Sequence, residues 1–172
     1  MKDRLNALQV ALNNEIREHE FYLRNAQRTK NSVGKAMFAQ IADEEMEHCE
    51  RLKQLHEYWE KEKIWPETVP LKVKGTVVKT LLRETAKKAA KTFNKDADDL
   101  KAIQTAIDFE FKGSEGYARL RDEVTDPKEK AFFNLLADIE HEHYASLRDT
   151  ELYLIDPASW FREWEDPTLE GG

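Results

Sequence analysis

The chain has 172 residues, 40% hydrophobic and 35% charged, and carries a net charge of −7. That length supports one real core, the scarcity of Gly and Pro suits long amphipathic helices more than a sheet protein, and the acidic balance argues against nucleic acid as a partner. No run of about 18 apolar residues is there to cross a membrane, and the lone Cys49, with no Cys-x-x-Cys pair, excludes a thiolate-held iron or zinc-ribbon site and points to a reducing compartment.

The N-terminal Met1-Lys-Asp-Arg-Leu-Asn6 lacks the apolar core of a signal peptide, so the cytoplasm is the expected location. A first helix is predicted over about 2–30, with an inward stripe of Leu5, Leu8, Leu12, Glu15, His19, Tyr22 and Ala26. Glu15 stands there where an apolar residue is expected, and His19 reads as a hydrogen-bonded core histidine. Asn31-Ser-Val-Gly34 reads as a turn. A second helix follows over about 35–63, its stripe Met37, Ile41, Glu45, His48, Leu52, Leu55 and Trp59. Cys49 reads as a small buried hydrophobe, and Pro66 and Pro70 end the helix.

Residues 64–96 form a crossover. Val69 to Gly75 reads as extended, and Thr76 to Phe93 as a shorter helix with Val77, Leu81 and Ala89 on one side. Its Lys72, Lys74, Lys79, Arg83, Lys87, Lys88, Lys91 and Lys95 read as a solvated face. A third helix starts after a cap at Asp96, with the stripe Leu100, Ile103, Ile107, Glu110, Ser114, Tyr117 and Arg121. Gly113 and Gly116 are unusual inside it, each costing about 1 kcal/mol relative to Ala. After the turn at Asp126-Pro127, a fourth helix covers about 128–154, with Phe133, Leu136, Glu140, His143, Leu147, Thr150 and Leu154 inward. The tail, 155–172, is aromatic, and Trp160, Phe161 or Trp164 is expected to pack against the bundle or a partner chain.

The two helical pairs, about 2–63 and 97–154, repeat one another at a fixed offset. Ala42-Asp-Glu-Glu-Met-Glu-His48 answers to Ala137-Asp-Ile-Glu-His-Glu-His143, and Glu15, Tyr22, Phe38 and Leu52 answer to Glu110, Tyr117, Phe133 and Leu147. Two copies of a helical pair point to one pseudo-twofold all-α bundle, joined by a long crossover, rather than a solenoid.

Each copy holds a Glu-x-x-His pair, Glu45 with His48 and Glu140 with His143, whose side chains share one helix face. With Glu15 and Glu110, four carboxylates then lie on apolar stripes. Burying them unpaired would cost several kcal/mol each, so they are either protonated or neutralised by cations. One Glu from each of two helices plus Glu-x-x-His from each of the other two is the ligand set of carboxylate-bridged di-metal bundles. Oxygen-rich sites with one imidazole per metal suit iron or manganese, and zinc can occupy them in a purified sample. Tyr22 and Tyr117 lie two turns beyond Glu15 and Glu110, placed to hydrogen-bond ligand carboxylates.

On these residues the chain resembles the rubrerythrin-type members of the ferritin-like superfamily. The resemblance covers about 2–60 and 97–154, and Ile107-Asp-Phe-Glu110 with Tyr117 also carries it. The tail, ending Leu169-Glu-Gly-Gly172, is similar to that of members without a rubredoxin domain. The resemblance implies a ferritin-like four-helix bundle with two iron ions per chain, reacting with hydrogen peroxide and more slowly with dioxygen. It implies Glu45 and Glu140 as bridging ligands, Glu15 and Glu110 as terminal ones, and His48 and His143 holding one iron each. An external electron donor, a rubredoxin or a reductase, and a homodimer are implied as well. One position departs. The family carries an extra Glu one turn after the third-helix ligand, and here it is Gly113. Glu18 is the equivalent position in the first helix. We expect it to act as the extra ligand from the opposite half and to share the catalysis with Glu45 and Glu140, while Gly113 opens space beside the irons.

Three functions compete: a peroxide-reducing oxidoreductase, a ferroxidase that handles iron with dioxygen, and a non-enzymatic, metal-stabilised binding bundle. No signature of a cage-forming surface is visible, which favours the first.

Overall fold

The computed structural model describes residues 2–62, 73–89 and 96–165. Among them are six helices and no strand: α1 (Lys2–Arg28), α2 (Ser32–Glu62), α3 (Val78–Lys88), α4 (Ala97–Glu123), α5 (Pro127–Ile155) and α6 (Pro157–Glu165). α1 packs along α2 and α4 along α5, as short connections between long amphipathic helices require. The expected stripe of α2, from Met37 to Trp59, is buried throughout, as is that of α5.

The repeat extends to the caps. Asn31 Oδ1 accepts from Val33 N at 2.9 Å and Gly34 N at 3.1 Å. At the matching position Asp126 Oδ1 accepts from Lys128 N at 2.9 Å and Glu129 N at 3.1 Å. Side-chain capping of the first free amides starts each helix at once. α2 therefore begins inside the stretch expected to be a turn. Asp99, buried at the start of α4, accepts from Asn31 N at 2.9 Å and Lys30 N at 3.1 Å, which ties the first hairpin's turn to the second hairpin.

The crossover differs from expectation in its inward face. Val78, Leu82 and Ala86 are buried, while Val77 is 53% exposed. The cause is local. Val77 N donates to Glu44 Oε1 at 3.2 Å and Lys74 N to Glu47 Oε2 at 3.3 Å, which seats the strap on α2 one residue out of the expected register. α3 then lies against both α2 and α5. The expected helix ends at Pro66 and Pro70, the extended reading of 69–72, Lys72, Lys91 and Lys95 all lie outside the described residues, whereas Lys79, Arg83, Lys87 and Lys88 are exposed.

The tail adds a helix the sequence reading lacked. Asp156 caps α6, accepting from Ser159 N at 3.1 Å and Ser159 Oγ at 2.6 Å. Trp160 is buried and meets the Tyr153 ring edge-on at 5.5 Å, with Phe161 beside both. The expected anchoring of the tail therefore falls to Trp160 and Phe161, and the side chain of Trp164 lies outside the described residues.

The core comes in two parts. One contains Leu8, Leu12, Leu52, Leu55, Phe132, Phe133 and Leu136, with Cys49 at its edge. The other contains Met37, Phe38, Ile41, Ile103, Ala106 and Leu147. Along every long helix the residues between these two apolar blocks are the buried glutamates and histidines. Packing on both sides holds that polar layer out of water.

Candidate metal centre

Six of the sequence-predicted residues converge. Glu15 is 2% exposed, His48 1%, and Glu45, Glu110, Glu140 and His143 are fully buried. Their donor atoms form two groups, Glu15–Glu45–His48–Glu140 and Glu45–Glu110–Glu140–His143, in each of which the atoms lie within 4.8 Å of one another. Glu45 and Glu140 belong to both. Glu45 is split between them: its Oε2 lies 3.4 Å from His48 Nδ1, and its Oε1 lies 3.3 Å from His143 Nδ1. His48 Nδ1 is also 3.4 Å from Glu15 Oε2 and 3.3 Å from Glu140 Oε1, and His143 Nδ1 is 3.4 Å from Glu110 Oε2. The two imidazole rings are nearly parallel, 6.2 Å apart at 19°.

The fit of this centre to metal rests on which atoms go unsatisfied. Glu15 Oε2, Glu110 Oε2, both oxygens of Glu45 and of Glu140, and Nδ1 of each histidine are buried without a hydrogen-bond partner. Buried polar atoms are ordinarily satisfied, and these face one another. Two donors from each of Glu45 and Glu140 and one from each other residue make a mixed oxygen and nitrogen set of the kind that would hold metal.

The remaining atoms are held from behind. Tyr22 Oη donates to Glu110 Oε1, and Tyr117 Oη to Glu15 Oε1. Each phenol reaches across to the carboxylate of the other half, so the expected tyrosine–carboxylate contacts are formed and are crossed. His19 and Ser114 occupy matching positions and do matching work. His19 Nδ1 donates to Ala42 O at 2.7 Å, and Ser114 Oγ donates to Ala137 O at 3.1 Å. Both contacts tie a Glu-bearing helix to the Ala-Asp segment ahead of a Glu-x-x-His pair.

Glu44 escaped the sequence reading. Its Oε2 lies 2.5 Å from His143 Nε2, and this fixes the ring so that Nδ1 faces the centre. The matching position in the other half is Ile139. An extra carboxylate beside Glu45 where its mate has isoleucine was the available signal.

The electrostatics are those of a crowded acidic site. Burial, then the charge of Glu45, push Glu15 up from 4.5 to about 8. Burial, then the charges of Glu45, Glu110 and Glu15, raise Glu140 well above its ordinary value. Burial works against the charge of Glu45, but the His48 imidazolium beside it holds it well below the carboxylate range. Burial likewise disfavours charged His48 and His143, but the surrounding carboxylates outweigh it and raise both well above 6.5. In this arrangement protons stand where cations would.

Glu18 is half-buried and stands outside both groups of donor atoms. It lines a cleft of about 850 Å³ between α1 and α4 together with Glu15, Gly113 and Tyr117. Burial, then the charges of Glu15, Glu45 and Glu110, raise its carboxyl well above the usual value. The space expected at Gly113 is filled by a neighbour: a Cβ on that residue would meet Glu140 Oε2 at 2.9 Å, so the glycine makes room for the Glu140 carboxylate. Cys49 is buried, and burial, then the charge of Glu15, push its thiol to about 12, which leaves it inert. No described helix is long and apolar enough to cross a membrane.

A family model described as Rubrerythrin matches residues 6–151. No curated protein and no solved structure matches the chain.

Proposed function

Because this chain belongs to the rubrerythrin family, a family of di-iron oxidoreductases, we propose that it reduces hydrogen peroxide to water at an iron pair held by its six buried Glu and His residues. The observation that carries the reading is the set of orphaned, mutually facing donor atoms in a fully buried layer. Glu15 and His48 would hold one iron, Glu110 and His143 the other, with Glu45 and Glu140 shared. When bound, the irons supply the two electrons that peroxide reduction consumes.

The chain's own residues do the rest. Tyr22 and Tyr117 orient Glu110 and Glu15, leaving one oxygen of each free for the centre. Glu44 holds the His143 ring. Two apolar blocks exclude water from the layer, which strengthens every charge interaction inside it. Glu18 lines the open side and serves as the extra ligand that Gly113 cannot supply. It also carries a proton toward the departing water. A one-electron donor, a rubredoxin or a reductase, restores the ferrous state, and the chain acts in the cytoplasm as a homodimer.

The test is stopped-flow absorbance on anaerobically Fe(II)-loaded protein, mixed with one equivalent of peroxide and, separately, with dioxygen. Fast ferric absorbance with peroxide and slow with dioxygen is expected. Equal or faster oxidation by dioxygen, with iron taken up beyond two per chain, would assign a ferroxidase instead. No oxidation by either would leave a metal-stabilised binding bundle.

A further inference from the structure

The cleft between α1 and α4 is far larger than hydrogen peroxide requires. Its volume is about 850 Å³, while a water molecule, close to peroxide in size, takes about 30 Å³ of liquid. Sites that enclose organic molecules measure roughly 300–1,000 Å³ and combine apolar walls with a few polar groups. Here Val10, Ala11, Phe109 and Leu120 provide apolar walls, and Glu15 and Glu18 line the same space.

Two glycines one turn apart on α4, Gly113 and Gly116, line this cleft. At Gly113 the wall reaches the shared carboxylate, since a Cβ would lie 2.9 Å from Glu140 Oε2. At Gly116 a Cβ would meet nothing within 4 Å, so the space is open rather than filled by a neighbour. Both helix-weakening residues thus stand on the wall of a cleft that Glu15 and Tyr117 also line.

We propose that the α1–α4 cleft admits apolar organic hydroperoxides, holding the organic group against Val10, Phe109 and Leu120 with the O–O group toward Glu15. The inference rests on the peroxidase reading of the centre. The reaction breaks the O–O bond of ROOH and consumes two protons and two electrons, one from each ferrous ion. It yields ROH, water and two ferric ions, which a one-electron donor protein re-reduces.

Cumene hydroperoxide and its product alcohol, 2-phenyl-2-propanol, are the probes. The alcohol is titrated into zinc-loaded, isotope-labelled full-length protein, and amide shifts are followed by NMR. Saturable shifts at Phe109, Gly113 and Gly116 are expected, abolished in Gly116→Phe. Val10→Trp plugs the cleft from the exposed side of α1 and gives the same readout should Gly116→Phe fail to fold. In the ferrous protein, the ratio of kcat/KM for cumene hydroperoxide to that for hydrogen peroxide should fall about tenfold or more in either variant. Oxidation by hydrogen peroxide without alcohol binding would overturn this inference alone, as would binding that the plugs do not touch. A second copy of the chain covering the cleft would give the first of these results. If neither peroxide oxidises the ferrous protein, the peroxidase reading fails and takes the inference with it.

Discussion

Replacing Glu44 by alanine tests whether the two halves of the centre are unequal. Glu44 Oε2 holds His143 Nε2 at 2.5 Å, while the repeat puts Ile139 at the matching place. A hydrogen-bonded carboxylate behind a ligating histidine is worth about 10–100-fold in metal affinity, or about 1.4–2.7 kcal/mol. Glu44→Ala should therefore weaken the site containing His143 and Glu110 by that factor, and the site containing His48 and Glu15 by less than about threefold. Glu44 also accepts from Gln40 Nε2 at 2.9 Å and from Val77 N at 3.2 Å, so the alanine loosens the strap as well. Glu44→Gln keeps the shape and removes the charge, which separates the two effects. The assay is anaerobic titration of metal-free protein with Co(II) against a competing chelator, fitted to two affinities. Wild type should show two unequal steps, and the variants should lose the tighter one. Two equal steps in wild type, or equal weakening of both in the variants, would refute the reasoning.

Gly113→Ala should separate stability from metal binding. The metal-free helix gains up to about 1 kcal/mol in propensity, seen as a higher Tm, while the new Cβ displaces Glu140 Oε2 and weakens metal binding about tenfold in the same titration. Glu18→Ala should keep both metals, because Glu18 lies outside the donor groups, and slow peroxide oxidation about 100-fold, the scale of one positioned acid. An unchanged rate removes Glu18 from the mechanism. The metal-free protein should lose stability as pH rises from about 4.5 to about 8. Over that range Glu15 is protonated in the fold and ionised in the unfolded chain, and the imidazolium stabilisation of His48 and His143 fades as pH climbs beyond 6.5. Glu45, held low, contributes no slope there. Thermal melts against pH check this, and calorimetry in buffers of differing ionisation heat should register protons released on metal loading.

The parts of this structure that were legible in the sequence are those written as periodicity. The stripes of α2 and α5 and the fixed offset between halves place Glu15, Glu45, His48, Glu110, Glu140 and His143 together, since a helix face and a twofold leave few other solutions. What escaped depended on contacts between elements. The face of α3 turns on two backbone amides meeting Glu44 and Glu47, which no local pattern records. The crossing of Tyr22 to Glu110 and Tyr117 to Glu15 needs the relative seating of the hairpins. Helix α6 was legible in principle. Asp156-Pro157 repeats the Asp126-Pro127 start of α5, and nine residues with a buried Trp160 suffice once that cap is read.

The central claim is that Glu45 and Glu140 serve both metal positions. Metal analysis of Glu45→Ala and Glu140→Ala after anaerobic Fe(II) loading and desalting, with circular dichroism to verify the fold, tests it most directly. Two irons per chain in wild type, about one in Glu15→Ala and essentially none in either shared-carboxylate variant is the predicted result. Retention of the full complement by a folded Glu45→Ala or Glu140→Ala protein would contradict it.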